Sequence, residues 1–353
     1  MSVSERDNIS IMKRSVDALL SDSIPSKSRS TYEKAWKEFA EFVDKPNEKP
    51  NEEDFLQFFD YLKTEKNFVA SSIWAIYSRL NAMFQLKHGD KLQIYPRVTQ
   101  LLKSYEENYQ RSVASTFTKD QLSTFLENEE LCTPYWITRK VIAVLMISGG
   151  LRMQELKNLN FGDLVKKNDC YEVKFKRLKQ RGEKNDGKFI VNADMSRHIT
   201  KYLCDLKLQF GDEVKGQFIK GTPLKQNGTS TFVNQNMGKN TLCDIGKDIA
   251  KALNLPNPSS YTSHTFRRSA ATIAVESGST TQELKNHFGW TSEKTADRYV
   301  DNSNVLATKM SDRLSVIENS STTTINSTFN SSPLQANKYY KITAEAGSSL
   351  HFH

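Results

Sequence analysis

Apolar side chains recur every three or four residues from Ser30 onward, with Tyr32, Trp36, Phe39 and Phe42-Val43 on one wide face. That is the period of an amphipathic helix. Pro46 to Pro50 breaks it, and Asn51 stands where it can cap a second helix. The first turn of that helix carries Glu52, Glu53 and Asp54, charges that suit a helix N-terminus, and its apolar face is Phe55, Phe58-Phe59 and Leu62. A third helix follows Ser71-Ser72 with Ile73, Ile76, Tyr77, Leu80 and Phe84 at helical spacing, and Gly89 marks its end. The spacing predicts a last helix from Pro96 through Leu101-Leu102 to Tyr109, completing a compact helical domain. Aromatic stripes at this spacing read as core, so Trp36, Phe39, Phe58 and Trp74 are taken as packing rather than as a base-stacking platform.

Arg111 to Ser115 reads as a linker, and a second run of elements begins crisply after it. Thr118-Lys119-Asp120-Gln121 has the form of a capping box, with Phe117 and Leu122 spaced for a hydrophobic staple. Thr138 to Ser148 is apolar enough for a buried helix ending at Gly149-Gly150, and Leu151 to Leu159 gives a second, short one. Tyr171, Val173 and Phe175 alternate on one arm of a β-hairpin and Phe189 and Val191 on the other, with Gly182 and Asp186-Gly187 in the turn region. Ser196 to Phe210 and Lys239 to Leu253 are further amphipathic helices. Val305, Leu306, Met310, Leu314 and Ile317 line one more, whose apolar face either folds back on its own domain or docks on a neighbouring protomer.

Length and composition narrow the class. The 353 residues suffice for two domains of ordinary size, and 37% hydrophobic with 25% charged residues describes a globular chain. No apolar run is long enough to span a bilayer, so a membrane role is not expected. Met1 to Ser30 is polar, broken only by the cluster Val16 to Leu20, and shows no charged-then-apolar leader, so secretion is not expected either. Ser26 to Arg29 is basic and small, a solvated tail or a DNA arm or import signal. Beyond Ser320 the chain is rich in Ser, Thr and Asn and reads as a disordered tail. Cys132, Cys170, Cys204 and Cys243 are far apart and form no C-x-x-C pair, which points to free thiols and to no zinc site. The net charge of +8 favours a polyanionic partner without requiring one.

Chemistry is concentrated in Ser263-His264-Thr265-Phe266-Arg267-Arg268, then Phe288-Gly289-Trp290, then Arg298-Tyr299-Val300. His264 and Arg267 are i and i+3, so on a helix starting here they share a face and can reach one anion. Phe266, Ala270, Ile273 and Ala274 supply that helix with an apolar stripe, and Gly278 stops it. Thr280 to Glu283 is another capping box, opening a helix from Thr281 to Phe288 that Gly289 ends. Trp290 then sits in a turn, and Ser292 to Val300 carries Tyr299 nine positions after it. Upstream, Arg152 and Glu155 share a helical face; by spacing alone they are an ordinary surface salt bridge worth tenths of a kcal/mol. Between Lys174 and Lys188 lie seven basic residues, among them Lys176, Arg177, Lys179, Arg181 and Lys184, against two acids. Such a loop is usually a solvated turn.

In order and spacing this set resembles the catalytic half of the tyrosine recombinases, the integrase family that cuts and rejoins DNA through a phosphotyrosine. Its pattern is Gly-Leu-Arg with an acid and Leu close behind, a Lys on a β-hairpin, H-x-x-R, a His or Trp, and a Tyr nine residues later. Gly150-Leu151-Arg152, Glu155-Leu156, the basic hairpin, His264, Arg267, Trp290 and Tyr299 meet it in turn. The resemblance implies a mainly α fold with a small antiparallel β-sheet, arranged as a two-domain clamp. A polar arm (1–25), a helical core-binding (SAM-like) DNA-binding domain (26–110) and a linker (111–117) precede an α+β catalytic domain (118–303), a C-terminal helix (304–319) and the tail (320–353).

It implies roles residue by residue. Arg152 and Arg267 hold the phosphate, Glu155 orients Arg152, His264 and Trp290 donate further bonds, and Tyr299 is the nucleophile. Lys179 is the general acid, with Lys176 and Lys184 as alternatives. Lys176, Arg177, Arg181 and Arg268 contact DNA, and the helical domain adds contacts from polar faces such as Lys34, Lys37, Arg79 and Lys87. Metal and other cofactors are not called for. The partner implied is double-stranded DNA, bound by a homo-oligomer, a dimer on a site and a tetramer in synapsis, with C-terminal helices exchanged between protomers. Trp290 stands where His is commoner, and Arg268 where many bacterial members have His. The wording S-G-G-L-R-M-Q-E-L is most similar to the eukaryotic Crypton-type transposon recombinases, which implies an element working in a nucleus. Two other classes fit the same residues: a domesticated DNA-binding protein that keeps the fold without its chemistry, and a type IB topoisomerase that relaxes DNA as a monomer.

Overall fold

Residues that can cap helices begin many of them. The structure, a computed structural model, describes residues 24, 26–45, 48–107, 109, 113–178, 186–211, 214–225, 228–301 and 304–314. The calls on the N-terminal arm before residue 24, on Lys179, Arg181 and Lys184, on Ile317 and on the tail lie outside the described residues.

The first helices are α1 (Ser26–Val43), α2 (Glu52–Thr64), α3 (Ala70–His88) and α4 (Pro96–Ser104). Asn51 caps α2 through its side chain, and Asp54 returns a bond to the Asn51 amide at 2.9 Å. Gly89 ends α3 at φ +79°, a conformation that suits glycine. Phe39, Phe55, Phe58, Phe59, Leu62, Ile73, Leu80 and Phe84 form the core these helices share. Phe39 stacks on Phe55 at 4.5 Å, and Phe84 meets Phe55 edge-on at 5.4 Å. Burying each such ring is worth about 1.5–3 kcal/mol, which holds helices too short to be stable alone. Trp36 and Trp74 pack against this cluster, as the aromatic periodicity predicts. Phe42 is 38% exposed at the rim. Helix α4 stops at Ser104, short of Tyr109, whose hydroxyl instead lies 3.0 Å from Ser71 Oγ.

Next come α5 (Lys119–Glu127), α6 (Pro134–Gly149) and α7 (Met153–Lys157). Thr118 and Gln121 close the expected capping box on α5. Phe117 is buried, with its ring stacked on Tyr261 at 4.7 Å, and its amide donates to Ser269 Oγ at 2.8 Å. Helix α6 is buried from Ile137 to Met146, its two cations included. Arg139 Nε and Nη2 bond Asp248 at 2.9 and 2.6 Å, and Lys140 Nζ bonds the Asn128 carbonyl at 2.6 Å. Buried charges persist only when paired in this way.

A three-stranded antiparallel sheet follows, β1 (Leu164–Lys167), β2 (Cys170–Lys176) and β3 (Asp186–Val191), in the order β1-β2-β3. Tyr171 faces Val191, Val173 faces Phe189 and Phe175 faces Gly187, the register that puts the alternating apolar residues on one buried side. Asp186-Gly187, read as turn, belongs to β3: Asp186 pairs with Lys176, and a Cβ on Gly187 would stand 2.4 Å from the Phe175 ring. Strand β1 was not foreseen, because four residues ending in Lys166-Lys167 carry no alternation; Asn168 at φ +54° makes its turn into β2.

Helix α8 (Ala193–Phe210), a small sheet of β4 (Lys220–Gly221) and β5 (Val233–Asn236), and α9 (Lys239–Ala252) lead to α10 (Thr265–Glu276), α11 (Thr281–Phe288), α12 (Glu293–Asp301) and α13 (Asn304–Leu314). In α10 the buried residues include Phe266, Ala270, Ala271 and Val275, while Ile273 and Ala274 are only half-buried, so the stripe runs one position off the expected one. The chain is thus mainly helical with a small antiparallel sheet. It resolves into two compact units, residues 1–270 and 271–353, the division falling inside α10. Among the described residues no helix is long and apolar enough to cross a membrane.

Candidate functional site

In the first unit the Gly-Gly-Leu-Arg turn is shaped by what approaches it. A Cβ on Gly149 would lie 2.5 Å from the Phe189 ring of β3, so only glycine lets the hairpin pack there. Gly150 ends α6 at φ +53°. Leu151 is fully buried, and Arg152 becomes the residue that starts α7. Its amide donates to Glu155 Oε2 at 2.8 Å and its Nη1 donates to Glu155 Oε1 at 2.8 Å. The Glu155 side chain is 1% exposed and that of Arg152 is 23%. The surface-bridge reading therefore fails: burial removes the solvent screening that makes exposed i,i+3 pairs weak.

Arg267 reaches the same turn from 117 positions away, its Nη1 donating to the Gly150 carbonyl. It stands in the first turn of α10, which starts one residue later than expected, after His264; the His264 carbonyl accepts from the Arg268 amide at 3.1 Å. The His264 side chain is exposed. Arg268, expected to contact DNA, has its Nε buried without a hydrogen-bond partner. The root of α10 is clamped: Ser115 bonds Ser260 through backbone and side chain at 3.0 and 2.6 Å, next to the Phe117–Ser269 bond.

The hairpin beside this turn divides its basic residues by strand parity. Lys174, Lys176 and Lys188 are exposed, and Lys176 is ion-paired with Asp186. Arg177 follows Tyr171, Val173 and Phe175 onto the other side and is 9% exposed, which removes it from the surface set expected to touch DNA. Its guanidinium lies over the Phe175 ring, 5.2 Å from the centroid. Burial pushes it below its ordinary pKa, with Glu155 opposing and Arg152 adding to that shift. The Leu178 amide, one residue on, donates to Glu155 Oε1 at 3.4 Å. An open groove of about 600 Å3 runs along this edge, with Glu155, Asn158, Asn160, Lys174, Lys176 and Lys188 in its wall.

The second unit carries Trp290 and Tyr299. Thr280 and Glu283 cap α11 reciprocally, and hydrogen bonds from the Thr280 amide and hydroxyl hold the Glu283 carboxyl below the usual range. Gly289 at φ +62° turns the chain, and the Trp290 amide bonds back to the Lys285 carbonyl at 3.0 Å. Lys285 Nζ spans the turn to Glu293, in the first turn of α12, at 2.8 Å. The nine-residue step then places the two rings together: Trp290 stacks on Tyr299 at 5.4 Å and 3°, and on its other neighbour Phe288 at 4.7 Å and 14°. The phenol ring thus lies in a parallel, offset stack with the indole, which the motif spacing does not anticipate.

Of the expected site residues, the structure brings Arg152, Glu155 and Arg267 to one turn, and Trp290 and Tyr299 into one stack. Sequence reading missed Gly149 with Phe189, and the inward face of Arg177. A signal for the latter existed, since Arg177 continues the 171, 173, 175 alternation.

No curated protein sequence matches the chain. Solved structures do: the integrase of transposon Tn1549 in complex with transposon right-end DNA, at 17% identity and TM-score 0.57, covers 85% of this chain and 99% of its own. A lambda integrase dimer bound to a core site, at 18% identity and TM-score 0.52, covers 82% and 93%. XerH site-specific recombinase bound to its palindromic substrate, at 15% identity and TM-score 0.52, covers 81% and 79%. At these identities the likeness is one of fold. The family model for the phage integrases matches residues 115–305, which is more than half of the sequence and runs from the clamped segment at Ser115 past Tyr299. The chain belongs to the phage integrase family.

Proposed function

We propose that this protein is a site-specific DNA recombinase or integrase of a mobile element, cutting and rejoining strands through a covalent 3′-phosphotyrosine. One observation carries the reading: within the family match, Arg152, held by the buried Glu155, and Arg267 root two permanently charged guanidinium groups at the same glycine turn.

Phosphodiester exchange builds negative charge on the non-bridging oxygens, and planar guanidinium forks match that geometry bidentately. Arg152 and Arg267 take this role, aided by the Trp290 indole N–H and His264. Preorganised donors contribute about 2.7–4 kcal/mol each at such a centre. Tyr299 Oη attacks phosphorus, the bond to the 5′-oxygen breaks, and the phenol proton leaves to a base for which His264 is a choice. The 5′-oxygen takes a proton from Lys179, or from Lys176 or Lys184. One phosphoester replaces another, so the tyrosyl bond drives rejoining without a nucleotide cofactor.

Neighbours solved on DNA, a dimer among them, support double-stranded DNA as partner and a dimer on each site; two such dimers would make the tetramer of synapsis. Lys176, Arg181 and Arg268 supply contacts to it. The Tn1549 neighbour supports the mobile-element reading. The Crypton-like wording of residues 148–156 favours a eukaryotic element, whose recombinase would work in a nucleus.

The test is a library of nicked suicide duplexes incubated with wild-type protein and with Tyr299→Phe, resolved on a denaturing gel. A covalent band with wild type alone is expected, and sequencing the trapped DNA gives the site. DNA retained on a native gel with no covalent band would instead make the chain a DNA-binding protein that keeps the fold without its chemistry.

A further inference from the structure

The sequence offered Arg177 as one more surface cation in a basic hairpin, and its surroundings say otherwise. It directly follows β2, its guanidinium rests over the Phe175 ring, and it is 9% exposed. Phe175 is wedged in turn: its ring fills the space a Cβ on Gly187 would need, and it meets Phe189 edge-on at 5.9 Å. Phe189 abuts Gly149 in the same way. On the other side, Glu155 accepts from the Leu178 amide at 3.4 Å as well as from both the amide and Nη1 of Arg152. Burial disfavours the Arg177 cation most, Glu155 favours it and Arg152 opposes it. One buried carboxylate therefore serves two segments, the turn that aims Arg152 and the end of β2.

We propose that Arg177 is a positioning residue: its buried guanidinium, braced on Phe175 one residue before the Leu178–Glu155 bond, locks the segment after β2 to the Arg152–Glu155 pair, so that the hairpin and Arg152 take up their working positions together. Functionally this rests on the recombinase reading above; structurally it does not. On this proposal Glu155 is held between two guanidinium groups, and losing either cation frees the carboxylate to rotate away from the other. The arrangement also explains an arginine rather than a lysine here, because a planar fork can stack on a ring and donate edge-on at once.

Two measurements on the full chain test it. The first is a denaturant unfolding cycle over wild type, Arg177→Met, Glu155→Gln and the double variant; methionine keeps the apolar stem on Phe175. Coupling predicts that the double variant unfolds at nearly the same midpoint as the worse single variant. Additive midpoint shifts would overturn the proposal whatever the activity. The second compares adduct formation and DNA retention on the trapped duplex for Arg177→Met and Arg177→Lys. A positioning role predicts a loss of ~10-fold or more in adduct rate at saturating DNA, partial recovery with lysine, and an unchanged salt dependence of binding. A phosphate contact would instead flatten the slope of log affinity against log salt by ~0.9, and that result would overturn the proposal. If wild type forms no adduct, the recombinase reading fails, and the unfolding cycle still decides whether Arg177 and Glu155 act as a unit.

Discussion

Glu155→Gln removes one charge and one acceptor from a group whose two oxygens are both in use. Oε2 takes the Arg152 amide at 2.8 Å, and Oε1 takes Arg152 Nη1 at 2.8 Å and the Leu178 amide at 3.4 Å. A glutamine has one acceptor oxygen and one amino group, so in either orientation the amino group faces a donor. At least one charge-assisted bond is lost, which costs about 1.5–3 kcal/mol. The Arg152 side chain, at 23% exposure, keeps some hydration, so the loss stays below the ~3–5 kcal/mol typical of breaking a fully buried pair. A fall of about 1.5–3 kcal/mol in unfolding free energy is expected, read from urea titration by circular dichroism, with Glu155→Ala lower still because it also leaves a cavity. Adduct formation should drop by ~10-fold or more while native-gel DNA retention persists, since Arg152 keeps its charge and loses its direction. A Glu155→Gln variant less than ~0.5 kcal/mol weaker than wild type would refute the reasoning, because that is the value of a hydrated surface bridge.

Gly149→Ala should destabilise by about 1–2 kcal/mol, since overpacking at Phe189 outweighs the helix-propensity gain of alanine, and Phe189→Leu in the same chain should restore the loss; thermal melts of the single and double variants check this. Trp290→Phe keeps a ring for Tyr299 to stack on but removes the indole N–H, whereas Trp290→Ala removes both; comparing their adduct rates separates the two functions, and equal rates would mean that the stack contributes nothing. His198 is held down to about 4 by burial, helped by the neighbouring Arg197 and Lys140 charges. The folded form therefore binds this proton less readily than the unfolded form, so its stability contribution is full above about pH 6.5 and falls away toward pH 4, by up to about 3 kcal/mol. Unfolding midpoints of wild type and His198→Gln across that window should converge as the pH falls.

The sequence by itself determined most of the helices and much of the motif set. Periodicity and caps are local: the Asn51, Thr118 and Thr280 caps each depend on residues three positions apart, and the α1 to α3 faces on a 3.6-residue repeat. The order of Gly150-Leu151-Arg152, His264, Arg267, Trp290 and Tyr299 was likewise visible as spacing. Tertiary structure decided which of these residues are charged surface and which are buried machinery. Spacing made Arg152–Glu155 a surface bridge; the hairpin laid against Gly149 goes with a pair whose carboxylate is buried, because desolvation is a property of neighbours far along the chain. Arg177 changed from a DNA contact to an inward-facing cation because the alternation of buried positions in β2 runs on one residue past Lys176. The short strands β1, β4 and β5 had no pattern to read, since segments of two to four residues gain their definition from the partner strand alone. The Arg267 bond to Gly150 is the plainest case: 117 residues of sequence separate its two ends, and only the packing of α10 beside the end of α6 closes that distance.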